Sequence, residues 1–278
     1  MNTLSSDRIG AVHSAPRIPG PPRFLLTPAA LSVCVIAATL LVSMGPESMR
    51  STLTVALINL ILVVGLYIFV GNSGIHSFGH LSFATVGAYT AGILAMPLQL
   101  KETMLRDAPA LNWFSISPAA AILLGGVVAA TAGLLVVLPL SRIGGLSAGL
   151  ATVSVLIAVN VITSNWDVVT RGRKGLTSLP LSTTVTTALV WALVAIWVAW
   201  LFQRSSFGKQ LRASKSDDVA ARASGIAIGG LRVAAFTLSA FFMGVGGGLF
   251  ALLLGSVTPS TFYLDYTFII IAMLVVGG

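Results

Sequence analysis

His76 and His80 are the residues of this sequence whose spacing most suggests chemistry. Four apart, they would share one face of a helix and could hold a metal ion between them. No carboxylate or cysteine lies near enough in sequence to complete a coordination set, so a packed or pore-lining histidine is expected and no metal. Cys34 is the single cysteine. It excludes an internal disulfide and a cysteine metal cluster, and sits in an apolar run as a small lipid- or core-facing side chain. No Ser–His pairing and no paired carboxylates are arranged for nucleophilic or acid–base work. The phosphate-cradling pattern G-x-x-x-x-G-K-[ST] is absent, so the chain does not bind ATP by that device. Neither an enzyme nor a cofactor site is expected.

Composition says why reactive groups are so scarce. Of 278 residues, 56% are hydrophobic and 9% charged, where a soluble domain carries about 25% charged. So few charges cannot cover a water-facing surface, and lipid is the solvent that removes the need. Uncharged apolar runs cover Phe24–Met44, Thr52–Val70, Leu81–Gln99, Ser117–Leu140, Ile143–Ser164, Thr184–Phe202, Val233–Ser256 and Tyr266–Gly278. A helix crosses the hydrocarbon core with about 20 residues, so seven runs are full spans and the last is short. Barrel strands alternate in segments of about ten residues, whereas Leu60–Val70 is apolar on every face. The expected fold is an all-α polytopic transmembrane bundle of about eight spans, over 24–278. Met1–Arg23, polar and proline-rich, reads as a disordered cytoplasmic tail.

The net charge is +8, and the bases lie in the connections. With the N-terminus inside, ten Lys and Arg fall on the inner side and six on the outer, which favours that orientation by the positive-inside rule. No basic stripe with interleaved aromatics marks a nucleic-acid surface. The runs hold no Asp, Glu, Lys or Arg, although ion-coupled carriers usually place such groups at mid-membrane. Energy for transport would therefore enter from outside this chain. Small residues at Gly87 and Ala91, Gly145 and Gly149, and Gly244 and Gly248 are spaced for close helix contact.

Three connections carry pattern. Gly71–His80 is glycine-rich and reads either as a tight turn or as a bent segment presenting backbone groups to a pore. Gly71, Gly74, Ser77, Gly79 and His80, with Asn160 in a later run, are the candidate translocation-path residues. The inner loop, Gln203–Leu231, contains a short predicted helix. Ser216 would cap it, Asp217 and Asp218 would meet the positive end of its dipole, Val219, Ala220, Ala221 and Arg222 would form its body, and Gly225 would end it. Its exposed alanines suit a groove on a partner, and a solvated connection is the plainer alternative. The outer loop, Asn165–Thr183, offers Trp166, Asp167, Arg171 and Gly175, either as contacts for a substrate-delivering protein or as a simple connection.

Taken together these stretches resemble the permease family of branched-chain amino acid ABC importers, the LivM-like branch in particular. Gly71–His80 with Leu81–Thr90 is similar to that family's G-x-x-G-x-x-S-x-G-H segment and following helix. Gly149–Ser154 through Asn165–Asp167 and Gly175–Pro180 resembles its central helix and outer loop. Ser206–Ala213, Asp218–Ala221 and Gly225-Ile226 resemble its cytoplasmic coupling loop, and Phe236–Ala240 with Ser256–Pro259 the next helix and loop. The resemblance implies a bacterial inner-membrane permease moving branched-chain or related amino acids. It implies pairing with a second homologous permease, two cytoplasmic ATP-binding subunits that hydrolyse the ATP, and an extracytoplasmic binding protein. Asp217–Gly225 would then be the ATPase-coupling helix. Ile75-His76 and Arg171–Lys174 depart from the family's usual Gln-Ile and Gly-Pro-Asn type turn, which leaves urea, amides and aromatic acids as alternative cargoes. A stand-alone channel or facilitator is the alternative class. The family continues through a further glycine-rich helical region beyond Gly277-Gly278, so a truncated copy is expected.

Overall fold

A computed structural model describes residues 25–104, 115–141 and 145–277. The expected tail, Met1–Arg23, lies outside the described residues, as do Arg106 and Arg142. The chain forms α1 (Leu26–Ser43), α2 (Glu47–Ser73), α3 (Leu81–Ala95), α4 (Leu98–Met104), α5 (Pro118–Leu140), α6 (Gly145–Asn165), α7 (Asp167–Thr170), α8 (Val185–Arg204), α9 (Ser206–Ser216), α10 (Asp218–Ala223), α11 (Ile228–Leu254) and α12 (Leu264–Gly277). An all-helical bundle follows from the apolar runs, because a helix satisfies its own backbone groups where no water reaches.

Among the described residues six helices, α1, α2, α5, α6, α8 and α11, are long and apolar enough to cross a membrane. The run expected as a single span over Leu81–Gln99 is instead broken: α3 and α4 meet at 117°. Pro97 is the cause. It drives Met96 out of the helical region, to φ −62° and ψ 134°. The last run forms a 14-residue helix, short as expected. α2 outgrows its expected bounds at both ends, so Gly71 is helical rather than part of a turn, and Gly74 at φ 71° stops the helix.

α11 is the central helix, packed against α5, α3 and α2. Contact this close needs glycine, because the seams with α3 and α5 bring backbone against backbone. A Cβ at Gly87 would lie 2.2 Å from the Gly244 carbonyl, and one at Gly247 would lie 2.0 Å from the Ala84 carbonyl. A Cβ at Gly248 would lie 3.0 Å from that of Ala91 on the same seam. The two small-residue pairs read separately from sequence thus face each other. On α2 the buried residues Leu57, Ile61, Gly65 and Phe69 recur every fourth position and turn one stripe to the core. The outer faces of α1 and α5 expose Leu40, Leu41, Leu135 and Leu138, as a lipid solvent allows.

Candidate functional site

Two built segments cap opposite ends of the bundle. At one end, Ser205 turns the chain from α8 into α9 with extended backbone, and its hydroxyl accepts from Gly208 N–H. Gly208 fits there because a Cβ would lie 2.1 Å from the Phe202 carbonyl. α9 buries Gly208, Leu211 and Ser214 and turns Lys209, Arg212 and Lys215 outward.

α10 follows immediately, one residue later than expected. Ser216 ends α9, and Asp217 is the cap: its Oδ1 accepts from Val219 N–H at 2.9 Å and Ala220 N–H at 3.0 Å. A carboxylate here satisfies two orphan donors and opposes the helix dipole. Asp218 then receives two arginines, Arg222 at 3.1 Å and Arg232 at 3.0 Å. Arg222 lies one helical turn on, whereas Arg232 belongs to the second turn of α11 and keeps only 8% of its side chain exposed. Gly225 at φ 81° ends the element as expected. Only part of the expected alanine surface forms: Ala221 is buried, and the exposed small apolar residues are Val219, Ala220 and Ala223.

α9 also reaches the Gly71–His80 segment, where Lys215 Nζ donates to the Gly71 carbonyl at 3.4 Å. Beyond Gly74 the chain leaves the helix and lies along α6. Phe78 N–H donates to Thr152 Oγ1 at 3.0 Å, and a Cβ on Gly79 would lie 2.1 Å from the Thr152 carbonyl. His76 is exposed and His80 buried, with neither inside a helix, so the shared helical face for a metal does not form. Among the described residues no cluster of His, Cys, Asp or Glu could hold a metal ion. The His80 ring stacks on Phe69 at 5.2 Å and lies tilted against Phe236 at 4.4 Å, and its Nδ1 pairs with Ser77 Oγ. It is a packed core histidine. Gly71, Gly74 and Ser77 border a cavity of about 250 Å³ together with His76 and Lys215. Asn160 lies apart from them, its Nδ2 donating to the Pro259 carbonyl at 2.8 Å.

At the opposite end, Trp166 precedes α7 and, like Asp167, is exposed. Arg171 takes φ 59°, a left-handed turn into the 3-10 segment Gly172–Lys174. Gly175 is buried: a Cβ would lie 2.2 Å from the Val257 carbonyl. It shapes backbone and offers no surface. Leu176 and Val257 exchange both N–H···O bonds at 2.9 Å, and Leu179 N–H donates to the Gly255 carbonyl at 2.9 Å. This loop is therefore strapped to the far end of α11. Sequence reasoning missed the strap, and it counted Arg232 only as a loop base. Lys101, also counted as a loop base, is fully buried in α4. Arg232 stands 14 residues from Asp218, a separation with no helical register to betray it.

Lipid-facing apolar helices capped by built segments at both ends define a polytopic membrane protein. The chain belongs to the family described as branched-chain amino acid transport system / permease component, whose model matches residues 48–278. It is 25% identical to the high-affinity branched-chain amino acid transport system permease protein LivM of Salmonella typhimurium, over 90% of this chain and 62% of that protein. The identity and coverage are the same for LivM of Escherichia coli. The chain thus spans under two thirds of the curated relatives it matches. No solved structure matches it.

Proposed function

We propose that this chain is the membrane-spanning subunit of an ATP-driven importer for branched-chain or related amino acids, in a bacterial inner membrane with its N-terminus inside. The observation that carries the reading is α10: a short helix, capped by Asp217, presenting Val219 and Ala220 outward while Asp218 ties it to α11. A small apolar knob of this kind suits a groove on a cytoplasmic ATPase. Closure of two such ATPases would move α10, and the Asp218–Arg232 pair would pass the motion to α11, which touches α2, α3 and α5. A second permease would complete the pathway. A binding protein would deliver cargo at the end bearing Trp166 and Asp167. The chain itself performs no catalysis in this scheme, and ATP is hydrolysed by the partners.

The test is co-purification of the chain with co-expressed ATPase subunits of the same transporter class, followed by leucine uptake. Replacing Ala220→Trp or Val219→Glu is expected to abolish ATPase co-purification and uptake while membrane insertion persists. Unaltered assembly and uptake in both variants would sink the proposal. So would downhill leucine flux through the chain reconstituted alone, which would make it a stand-alone facilitator.

A further inference from the structure

Helices α1, α2, α8 and α12 flank an open groove of about 770 Å³ on the side of the bundle. Its walls are apolar, with Leu31, Leu60, Val63, Val64, Ile196 and Met273 among them. Gln203, at the α9 end of α8, also lines it. Tyr67 and Leu274 border this groove and also the 250 Å³ cavity that holds Lys215, His76 and the Gly71 and Gly74 backbone. The two spaces therefore abut, the groove among the spans and the smaller cavity, with Lys215 in its wall, where the spans end.

Charge at the junction has one sign. α9 carries Lys209, Arg212 and Lys215 and no acid. The acids that follow are engaged: Asp217 caps α10, and Asp218 pairs with Arg222 and Arg232. Lys215 makes a single long hydrogen bond among the described residues, to the Gly71 carbonyl at 3.4 Å. Arg212 donates to the Gln203 carbonyl at 2.8 Å, which holds it at the rim of the groove. α9 thus turns Gly208, Leu211 and Ser214 inward and its three bases outward, at the end of the spans where headgroups lie.

We propose that this composite groove is a binding site for an anionic phospholipid. Its acyl chains lie along α2 between α8 and α12, and its phosphate sits at Lys215 and Arg212. Charge complementarity selects this occupant over a second copy of the chain. A second copy's helix would fill the apolar groove and leave Lys215, beyond Tyr67, without a counter-charge. An acyl chain with an anionic head satisfies both spaces at once.

The test uses the full chain in lipid vesicles with trace spin-labelled phosphatidylglycerol or phosphatidylcholine, reading the motionally restricted fraction. Wild type is expected to prefer phosphatidylglycerol. A base near the membrane surface contributes about 1 kcal/mol toward an anionic lipid, or roughly five-fold. Lys215→Gln with Arg212→Gln, both at exposed positions, should bring the preference close to unity and leave phosphatidylcholine unchanged. Val63→Trp, which fills the groove, should reduce both lipids. High salt supplies a check free of any folding defect, because it must cut the wild-type preference by screening. Equal restriction of both lipids in wild type, a preference indifferent to salt and to the double variant, or a groove covered by a second copy and closed to both lipids would each overturn the proposal.

Discussion

Asp218 accepts two arginines that differ in what surrounds them. Arg222 is 65% exposed and sits within the same short helix, whereas Arg232 is nearly buried and comes from another element. Exposed pairs within a helix contribute about 0.3–0.5 kcal/mol. Removing a buried partner costs several times more, because the remaining charge loses its counter-ion. Asp218 itself is only partly covered, so an intermediate value applies. Arg232→Ala is expected to destabilise the purified chain by about 1–2 kcal/mol, and Arg222→Ala by less than about 0.5 kcal/mol. Thermal unfolding in detergent measures both, and equal effects would mean that the link to α11 carries no load. At this scale the sequence disclosed the presence of a capped helix and its glycine stop but misplaced the cap by one residue. Ser216 and Asp217 both have oxygens able to cap. The choice fell to Asp217 because α9 runs on through Ser216 and leaves Asp217 the extended backbone that a cap needs. Nothing local in the sequence shows how far α9 extends.

Among elements, the seam of α11 with α3 and α5 is the most exacting contact. Gly87→Ala or Gly247→Ala would drive a methyl group into a carbonyl that belongs to a packed helix and cannot rotate away. Each is expected to abolish the folded, monodisperse protein in size-exclusion chromatography. Gly229→Ala and Gly230→Ala stand in the same helix with open space around the added carbon. They should be tolerated, or should stabilise by up to about 1 kcal/mol through helix propensity. If all four behave alike, close backbone packing is not what holds the seam. The spacing of Gly87 and Ala91, and of Gly244 and Gly248, was legible because small residues at four-residue intervals have few other uses in lipid. Which pair would meet which was not legible, since that depends on tertiary arrangement. Gly149 shows the limit of the pattern, for a Cβ there would lie 3.1 Å from the His76 carbonyl, on a loop rather than on a helix. The break at Pro97 was hidden for a different reason. Proline is tolerated in membrane helices when neighbours satisfy the freed backbone, so a long apolar run containing one does not reveal whether it bends.

For the whole molecule, the helix directions fix which segments share a face. α9, α10 and Gly71–His80 occupy one end, and Trp166, the 3-10 turn and Val257 the other. Cys34 is the single native cysteine, so a Cys34→Ser background makes labelling clean. In cells, Ser178→Cys is expected to react with a membrane-impermeant maleimide, and Ser224→Cys to react only after permeabilisation. The reverse pattern would invert the proposed orientation and remove α10 from any cytoplasmic partner. The eight apolar runs announced a bundle of this size because lipid imposes both length and composition on each crossing. The straps and ion pairs that join the crossings left no such mark, since each joins residues far apart in sequence.

α11 is 27 residues long, about 40 Å at 1.5 Å per residue. Near its start Arg232 fastens it to Asp218, and just past its end Val257 is stitched to Leu176. A tie rod anchored at both ends has little slack in which a displacement could be lost. Binding energies linked through such a member are reciprocal. Whatever factor docking at the Leu176 end applies to affinity at the α10 end, docking at the α10 end must apply in return.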